Sequence, residues 1–199
     1  MHAPRLTLCL LLSLACGPHA KAQVFNLHEG YNTRQITGVR LTGMNDSATS
    51  VALLSDLTLF VLLSPECPLS QGYSLTLNRI DTSFGPDLRV IALIPGKAYP
   101  VQQVKSFVND YSLRFPVYID QDMELTKYLH GTVTPEVILV SKNGDEVYRG
   151  AIDDWAAGLG KKKKIVTNEY LRNAIGQYLQ KQPILVKIVK PTGCLINEY

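Results

Sequence analysis

Phe60-Val61-Leu62-Leu63-Ser64-Pro65-Glu66-Cys67-Pro68-Leu69-Ser70 is the stretch that decides the reading of this chain. Its first half closes the apolar run Leu57 to Leu63, as expected of a strand buried on both faces. Its second half is a polar turn leading into a helix. Pro68 suits the first helical position, and Leu69, Tyr73, Leu77 and Ile80 form one stripe that carries the helix to about Ile80. Cys67 therefore stands between a buried strand and a helix N-terminus, where unpaired N–H groups and the helix dipole favour a thiolate. A thiolate attacks disulfides and peroxides. A cysteine within the 57–63 run would read as inert core, but Cys67 lies outside it.

Working outward, Ile36 to Leu41 is predicted as a strand and Met44 to Ser50 as a polar loop. Beyond Phe84-Gly85-Pro86, Leu88 to Ile94 reads as a second buried strand. Pro100 opens a helix with Val104, Phe107, Val108 and Tyr111 on one face. Val117 to Ile119 is a short strand. Asp122 is the expected cap of a short helix with Leu125, Tyr128 and Leu129, stopping at Gly131. Val137 to Val140 and Glu146 to Arg149 flank Asn143-Gly144, a strong hairpin signal. Leu171, Ala174, Ile175, Tyr178 and Leu179 mark the last helix, with Thr167 or Asn168 as its cap, and Ile184 to Val189 is extended. There is no internal repeat and no low-complexity linker. The pattern predicts one α/β domain, with helices on both faces of a sheet that the hairpin makes mixed.

The chain has 199 residues, four cysteines, 46% hydrophobic and 19% charged residues, a net charge of +3 and a mean hydropathy of +0.03. These values exclude a disordered or collagen-like chain and a multi-span membrane protein. They give no reason to expect a nucleic-acid partner. Residues 1–22 read as a signal peptide: Arg5, the apolar Leu6 to Ala15, then the small-x-small site Ala20-Lys21-Ala22. The apolar run is too short to span a bilayer, so no transmembrane segment is expected in the mature chain. The alternative is a lipoprotein, with Ser13-Leu14-Ala15-Cys16 as its lipobox. Either way the protein is exported, to the periplasm or beyond, where disulfides persist. A mature chain of 23–199 carries charge +1, since Arg5 and Lys21 go and no acid does, and it keeps only Cys67 and Cys194.

The turn around Cys67 resembles the active-site segment of thioredoxin-fold proteins. It is closer still to that of the redoxin group (alkyl hydroperoxide reductase / thiol-specific antioxidant type). Val133-Thr134-Pro135-Glu136-Val137 is similar to the cis-proline loop of that family, and the hairpin follows it in family order. The segment from Val117 to His130 corresponds to the strand and helix that redoxins insert before that loop. Tyr148-Arg149-Gly150-Ala151-Ile152-Asp153-Asp154 and Gly193-Cys194-Leu195-Ile196 resemble an exported subset with one cysteine in the turn and another near the C-terminus. The resemblance covers most of 36–199. It implies a thioredoxin-like three-layer fold with a central mixed sheet and a C-terminal extension, the tail 182–199, packing back on the domain. It also implies a cis Thr134–Pro135 bond that shapes a substrate groove. Cys67 is then the nucleophile and Cys194 the resolving thiol of a thiol–disulfide oxidoreductase, an antioxidant redoxin that needs no cofactor and no metal. Its partners are protein thiols and disulfides, or a small thiol or peroxide.

Two departures qualify this. The usual Cys-x-x-Cys is here Cys67-Pro68-Leu69-Ser70, and Ser70 can donate a hydrogen bond to the thiolate but cannot resolve a mixed disulfide. In the peroxidase pattern Ser64 fills the hydroxyl position three before Cys67, but Phe60 stands where proline belongs. Three readings stay open beside exchange. One is a thiol peroxidase, in which a Cys67 sulfenic acid condenses with Cys194. Another is a module held by a structural Cys67–Cys194 bridge. The third is a copper(I) carrier using the two thiolates with His28 and His130, although the Cys-x-x-x-Cys of copper-delivering thioredoxin-fold proteins is absent. Cys194 also reads as a free or interchain cysteine. His130 otherwise reads as a helix-end residue, Lys161 to Lys164 as a solvated loop, and Asp153, Asp154 and Trp155 as a turn and surface contact.

Overall fold

Both faces of the 57–63 run are apolar, and the fold follows from covering both. Leu57, Leu59, Val61 and Leu63 join one buried cluster with Tyr73, Leu77, Val104 and Leu171. Phe60 and Leu62 join another with Ile36, Leu125 and Leu129. Each fully buried Leu or Phe contributes about 1.5–3 kcal/mol. The computed structural model describes residues 30–53 and 55–196. The expected signal peptide, the cleavage after Ala22, Cys16 and His28 lie outside the described residues.

The first elements are α1 (Thr33–Gly38), β1 (Leu41–Thr42), β2 (Ala48–Thr49), β3 (Leu57–Leu62), α2 (Pro68–Phe84), β4 (Leu88–Pro95), α3 (Val101–Asp110), β5 (Val117–Asp120) and α4 (Glu124–Tyr128). There follow β6 (Val133–Thr134), β7 (Glu136–Ser141), β8 (Glu146–Gly150), β9 (Ala156–Gly158), β10 (Lys161–Lys162), α5 (Tyr170–Leu179), β11 (Ile188–Val189) and β12 (Cys194–Leu195). Eight strands make one mixed sheet in the order β11-β8-β7-β3-β4-β5-β1-β2. β3, β4 and β5 are parallel, while β7 runs antiparallel to β3 and β8 antiparallel to β7. α2, α3 and α5 pack on one face, and α1 and α4 on the other.

Several expectations are corrected. Ile36 lies in α1 and not in a strand: Asn32 Oδ1 accepts from Arg34 N at 3.0 Å, and this local cap overrides the β-branched Ile36, Thr37 and Val39. Only Leu41–Thr42 forms a strand there. The 44–50 loop contains β2, which pairs back on β1. α2 runs four residues past Ile80, with Phe84 packed against the core, before Gly85 and Pro86 stop it. Asp122 does not cap α4; it pairs with Lys97 at 2.8 Å, and Met123 takes the cap position. Thr167 and Asn168 do not cap α5 either, because both bond Asp154. The lysine run is partly strand, in the two-stranded β9–β10 sheet, with Lys163 paired to Asp154 at 2.6 Å. Asp153 is buried and accepts from Tyr73 Oη at 2.7 Å, so it belongs to the interior rather than to a surface turn.

Candidate functional site

Strand register brings the site together. Leu62 pairs with Glu136, so the turn that follows β3 meets the loop that precedes β7. Val137 pairs with Gly150, so β8 ends at the same edge of the sheet. β11 runs parallel to β8, with Val189 beside Gly150, and therefore delivers the tail to that edge as well. The tail then turns at Pro191, and β12 pairs antiparallel with β6, Cys194 opposite Thr134. Gly193 lies flat on this loop: a Cβ there would stand 2.6 Å from the Thr134 carbonyl oxygen, so only glycine admits this approach.

Cys67 occupies the N-cap position of α2 with Pro68 next to it. Its Sγ lies 2.6 Å from Cys194 Sγ and donates to the Thr134 carbonyl at 3.0 Å. Both thiols are free. Burial pushes the Cys67 thiol up, but hydrogen bonds from the Cys194 thiol and from the N–H groups of Ser70, Leu69 and Cys194 outweigh it, and the net shift is downward. Cys194 moves the other way, to about 11, through burial, its hydrogen bond to Cys67 and the Cys67 charge. The geometry thus separates an acidic sulfur from a reluctant one in contact with it.

The loop beneath is held by a buried carboxylate. Glu136 Oε2 accepts from Thr132 N at 2.7 Å, Thr132 Oγ1 at 2.9 Å and Val133 N at 3.3 Å. Burial raises the Glu136 pKa against these bonds and against Arg149. The buried Arg149 reaches Glu136 at 3.7 Å and Glu146 at 2.8 Å, and it donates to the Leu129 carbonyl at 2.7 Å. The bond between Thr134 and Pro135 is cis, and the Thr134 carbonyl accepts from Cys67 Sγ.

No protein-family model matches the chain, and no curated protein matches it. Solved structures do. A hypothetical protein of Sinorhizobium meliloti is 24% identical over 87% of this chain and 95% of its own, with a TM-score of 0.74. An uncharacterized conserved protein of Geobacillus kaustophilus is 23% identical over 89% of this chain and 94% of its own, at 0.73. A secreted disulfide oxidoreductase of Mycobacterium tuberculosis is 16% identical over 58% of this chain and 84% of its own, at 0.50. The fold is thioredoxin-like.

In this thioredoxin-like frame Cys67, Cys194, Thr134 and Pro135 converge, while the two serine hydroxyls do not face the sulfur. Ser70 Oγ accepts from Ser64 N at 3.2 Å, and Ser64 Oγ shares a 2.9 Å hydrogen bond with Tyr99 Oη. It is the backbone N–H of Ser70 that serves the thiolate. His130 lies two residues past α4, and its carbonyl accepts from Arg149 Nη1 at 3.3 Å. Among the described residues no cluster of three or more His, Cys, Asp or Glu is placed to hold a metal ion, and no helix is long and apolar enough to cross a membrane. Sequence reasoning missed the cleft beside Cys67, of about 990 Å³, where Lys97, Tyr99, Met123 and Lys127 stand. These residues follow the C-terminal ends of the parallel strands β4 and β5, where open α/β sheets bind ligands; that rule was the available signal.

Proposed function

We propose that the chain is an exported thiol–disulfide oxidoreductase of the redoxin type, with Cys67 as nucleophile and Cys194 as resolving thiol. The observation that carries this is the 2.6 Å contact between two free thiols of opposite pKa shift, at the cis-proline edge of a thioredoxin-like sheet. The Mycobacterium neighbour, a secreted disulfide oxidoreductase, is in keeping with it. In the reduced protein β12 lifts from β6, and the Cys67 thiolate attacks one sulfur of a substrate disulfide. The other sulfur leaves as a thiolate. Cys194 gives up its proton to that thiolate and attacks the Cys67 sulfur, which releases the second substrate thiolate and leaves a Cys67–Cys194 disulfide. Ser64 Oγ shares its hydrogen bond with Tyr99 Oη and not with the sulfur, which favours a disulfide over a peroxide as oxidant. Peroxide consumption by the reduced protein is the check on that preference. Export by residues 1–22 belongs to the same reading, and mature protein is expected to begin at Gln23 by N-terminal mass analysis.

The test is non-reducing peptide mapping after treatment of the reduced protein with oxidised glutathione. A Cys67–Cys194 cross-link, with two glutathione thiols released per chain, is the expected result. Persistence of both thiols under those conditions would remove the proposal.

A further inference from the structure

The β9–β10 hairpin and the residues after it take no part in the thiol chemistry. Every residue from Leu159 to Glu169 is exposed. The stretch holds four consecutive lysines, Lys161 to Lys164, and no acid occurs between Asp154 and Glu169. Asp154 compensates Lys163, at 2.6 Å. Lys161, Lys162 and Lys164 have no carboxylate partner among the described residues. Three aliphatic side chains stand in the same stretch: Leu159 at 70% exposure, Ile165 at 75% and Val166 at 36%. None of the three joins either buried cluster. Leu159 and Gly160 form the turn between the strands, and a Cβ at Gly160 would meet nothing within 4 Å, so the tip projects into solvent. The base is fixed by contrast. Lys163 N donates to the Trp155 carbonyl at 2.8 Å, Lys162 Nζ stands 4.6 Å from the centre of the Trp155 ring, and that ring packs edge-on against Tyr73 of α2 at 4.9 Å.

We infer that this hairpin docks the protein on an anionic lipid surface, with the lysines at the headgroups and Leu159 and Ile165 at the acyl boundary. Charge sets the sign of the partner, because three uncompensated lysines are each attracted to an anionic surface. The aliphatic side chains set its class. Protein–protein interfaces are poor in lysine and rich in aromatic residues and arginine, which is the reverse of this stretch. Single-stranded nucleic acid needs exposed aromatic platforms, and the one aromatic between Asp154 and Glu169, Trp155, is packed on Tyr73. A lysine lays its stem along apolar surface and keeps its ammonium in water, which suits a patch half in lipid and half out. A short patch of this kind attaches reversibly and depends on both terms, charge and apolar burial. The attachment goes beyond the exchange reading and stands without it.

The experiment uses the full chain and vesicles of phosphatidylcholine, alone or mixed equally with phosphatidylglycerol, carrying dansyl headgroups. Trp155, the single tryptophan of the chain, is the energy-transfer donor at the base of the hairpin. Transfer is expected on the anionic vesicles, is expected to weaken at about 0.5 M salt, and is expected to be far smaller on phosphatidylcholine alone. In the double variant Lys161→Gln, Lys164→Gln the lipid concentration for half-maximal transfer should rise about thirtyfold. In Leu159→Ser, Ile165→Ser it should also rise, and at low salt. Both variants should form the Cys67–Cys194 disulfide with oxidised glutathione at the parent's rate, which shows that they are folded. Equal half-maximal concentrations in the parent and the lysine variant, or equal transfer on the two kinds of vesicle, overturns the inference. A parent that binds soluble polyglutamate but shows no transfer on anionic vesicles assigns the lysines to an acidic protein and overturns it as well.

Discussion

At Cys67, burial and hydrogen bonding oppose one another, and hydrogen bonding prevails. Two of its four donors come from one residue, Cys194, through its thiol and its N–H. The acidity of Cys67 therefore depends on the tail being docked. In Cys194→Ser the hydroxyl still donates, and the alkylation rate of Cys67 is expected to inflect below the free-thiol value of about 8.5. In Cys194→Ala the side-chain donor is gone, and the inflection is expected to rise relative to Cys194→Ser. Equal inflections in the two variants would remove Cys194 from the activation of Cys67. Placement at a helix start was legible in the sequence, since Pro68 fixes where α2 begins. The dependence on residue 194 was not, because it arises from a pairing 127 positions away. The partners of the serine hydroxyls were not legible for a related reason: proximity in sequence does not say which neighbour a hydroxyl will meet, and Ser70 Oγ accepts from Ser64 N while Ser64 Oγ pairs with Tyr99 Oη.

At the level of elements, β3, β4 and the β7–β8 hairpin were legible, because apolar runs and Asn143-Gly144 are signals carried by consecutive residues. α1 and β12 were not, since each is short and exists through a cap or a partner distant in sequence. Gly72 within α2 shows the same blindness. Read locally it weakens a helix by about 1 kcal/mol relative to alanine, but a Cβ there would run into the Trp155 ring, which packs edge-on against Tyr73 at 4.9 Å. Overpacking costs about 1–3 kcal/mol, so Gly72→Ala is expected to destabilise despite its better propensity. A urea midpoint at or above that of the parent would show that the ring gives way. Between β7 and β8, Arg149→Met leaves two buried carboxylates and the Leu129 carbonyl without their cation. Its expected cost is about 3–5 kcal/mol at neutral pH. The sign of the pH dependence follows from Glu136, whose folded pKa is raised by burial. Such a group contributes fully below its unfolded value of about 4.3 and loses that contribution as pH rises through the folded value. Without Arg149 the folded value climbs further, so the deficit of the variant should shrink in acid. A deficit that grows in acid would mean that the carboxylates are not what the arginine serves.

Over the whole molecule, the parallel run of β11 beside β8 carries the C-terminus to the edge where the 64–68 turn and the cis-proline loop already meet. A bond between Cys67 and Cys194 would close a loop of more than a hundred residues, which by loop entropy alone stabilises by about 5 kcal/mol. Stability and catalysis therefore make different demands on the two cysteines. A structural bridge loses the same stabilisation whichever partner is replaced, and neither variant then gathers a thiol adduct selectively. An exchange pair is asymmetric. With oxidised glutathione, Cys194→Ser should hold glutathione on Cys67, because Ser70 cannot displace it and no other thiol among the described residues is in contact. Cys67→Ser should hold little, because burial, the largest cause of the raised Cys194 pKa, persists without its partner. Intact mass after oxidised glutathione, with thermal melts of both variants against the oxidised parent, separates the two cases. Equal losses of stability in the oxidised state, with no adduct favouring Cys67, would leave a thioredoxin-like module stapled by its own tail. A Cys67 adduct in Cys194→Ser alone requires that the tail lift from β6 within the lifetime of the folded state, since Cys67 is otherwise covered.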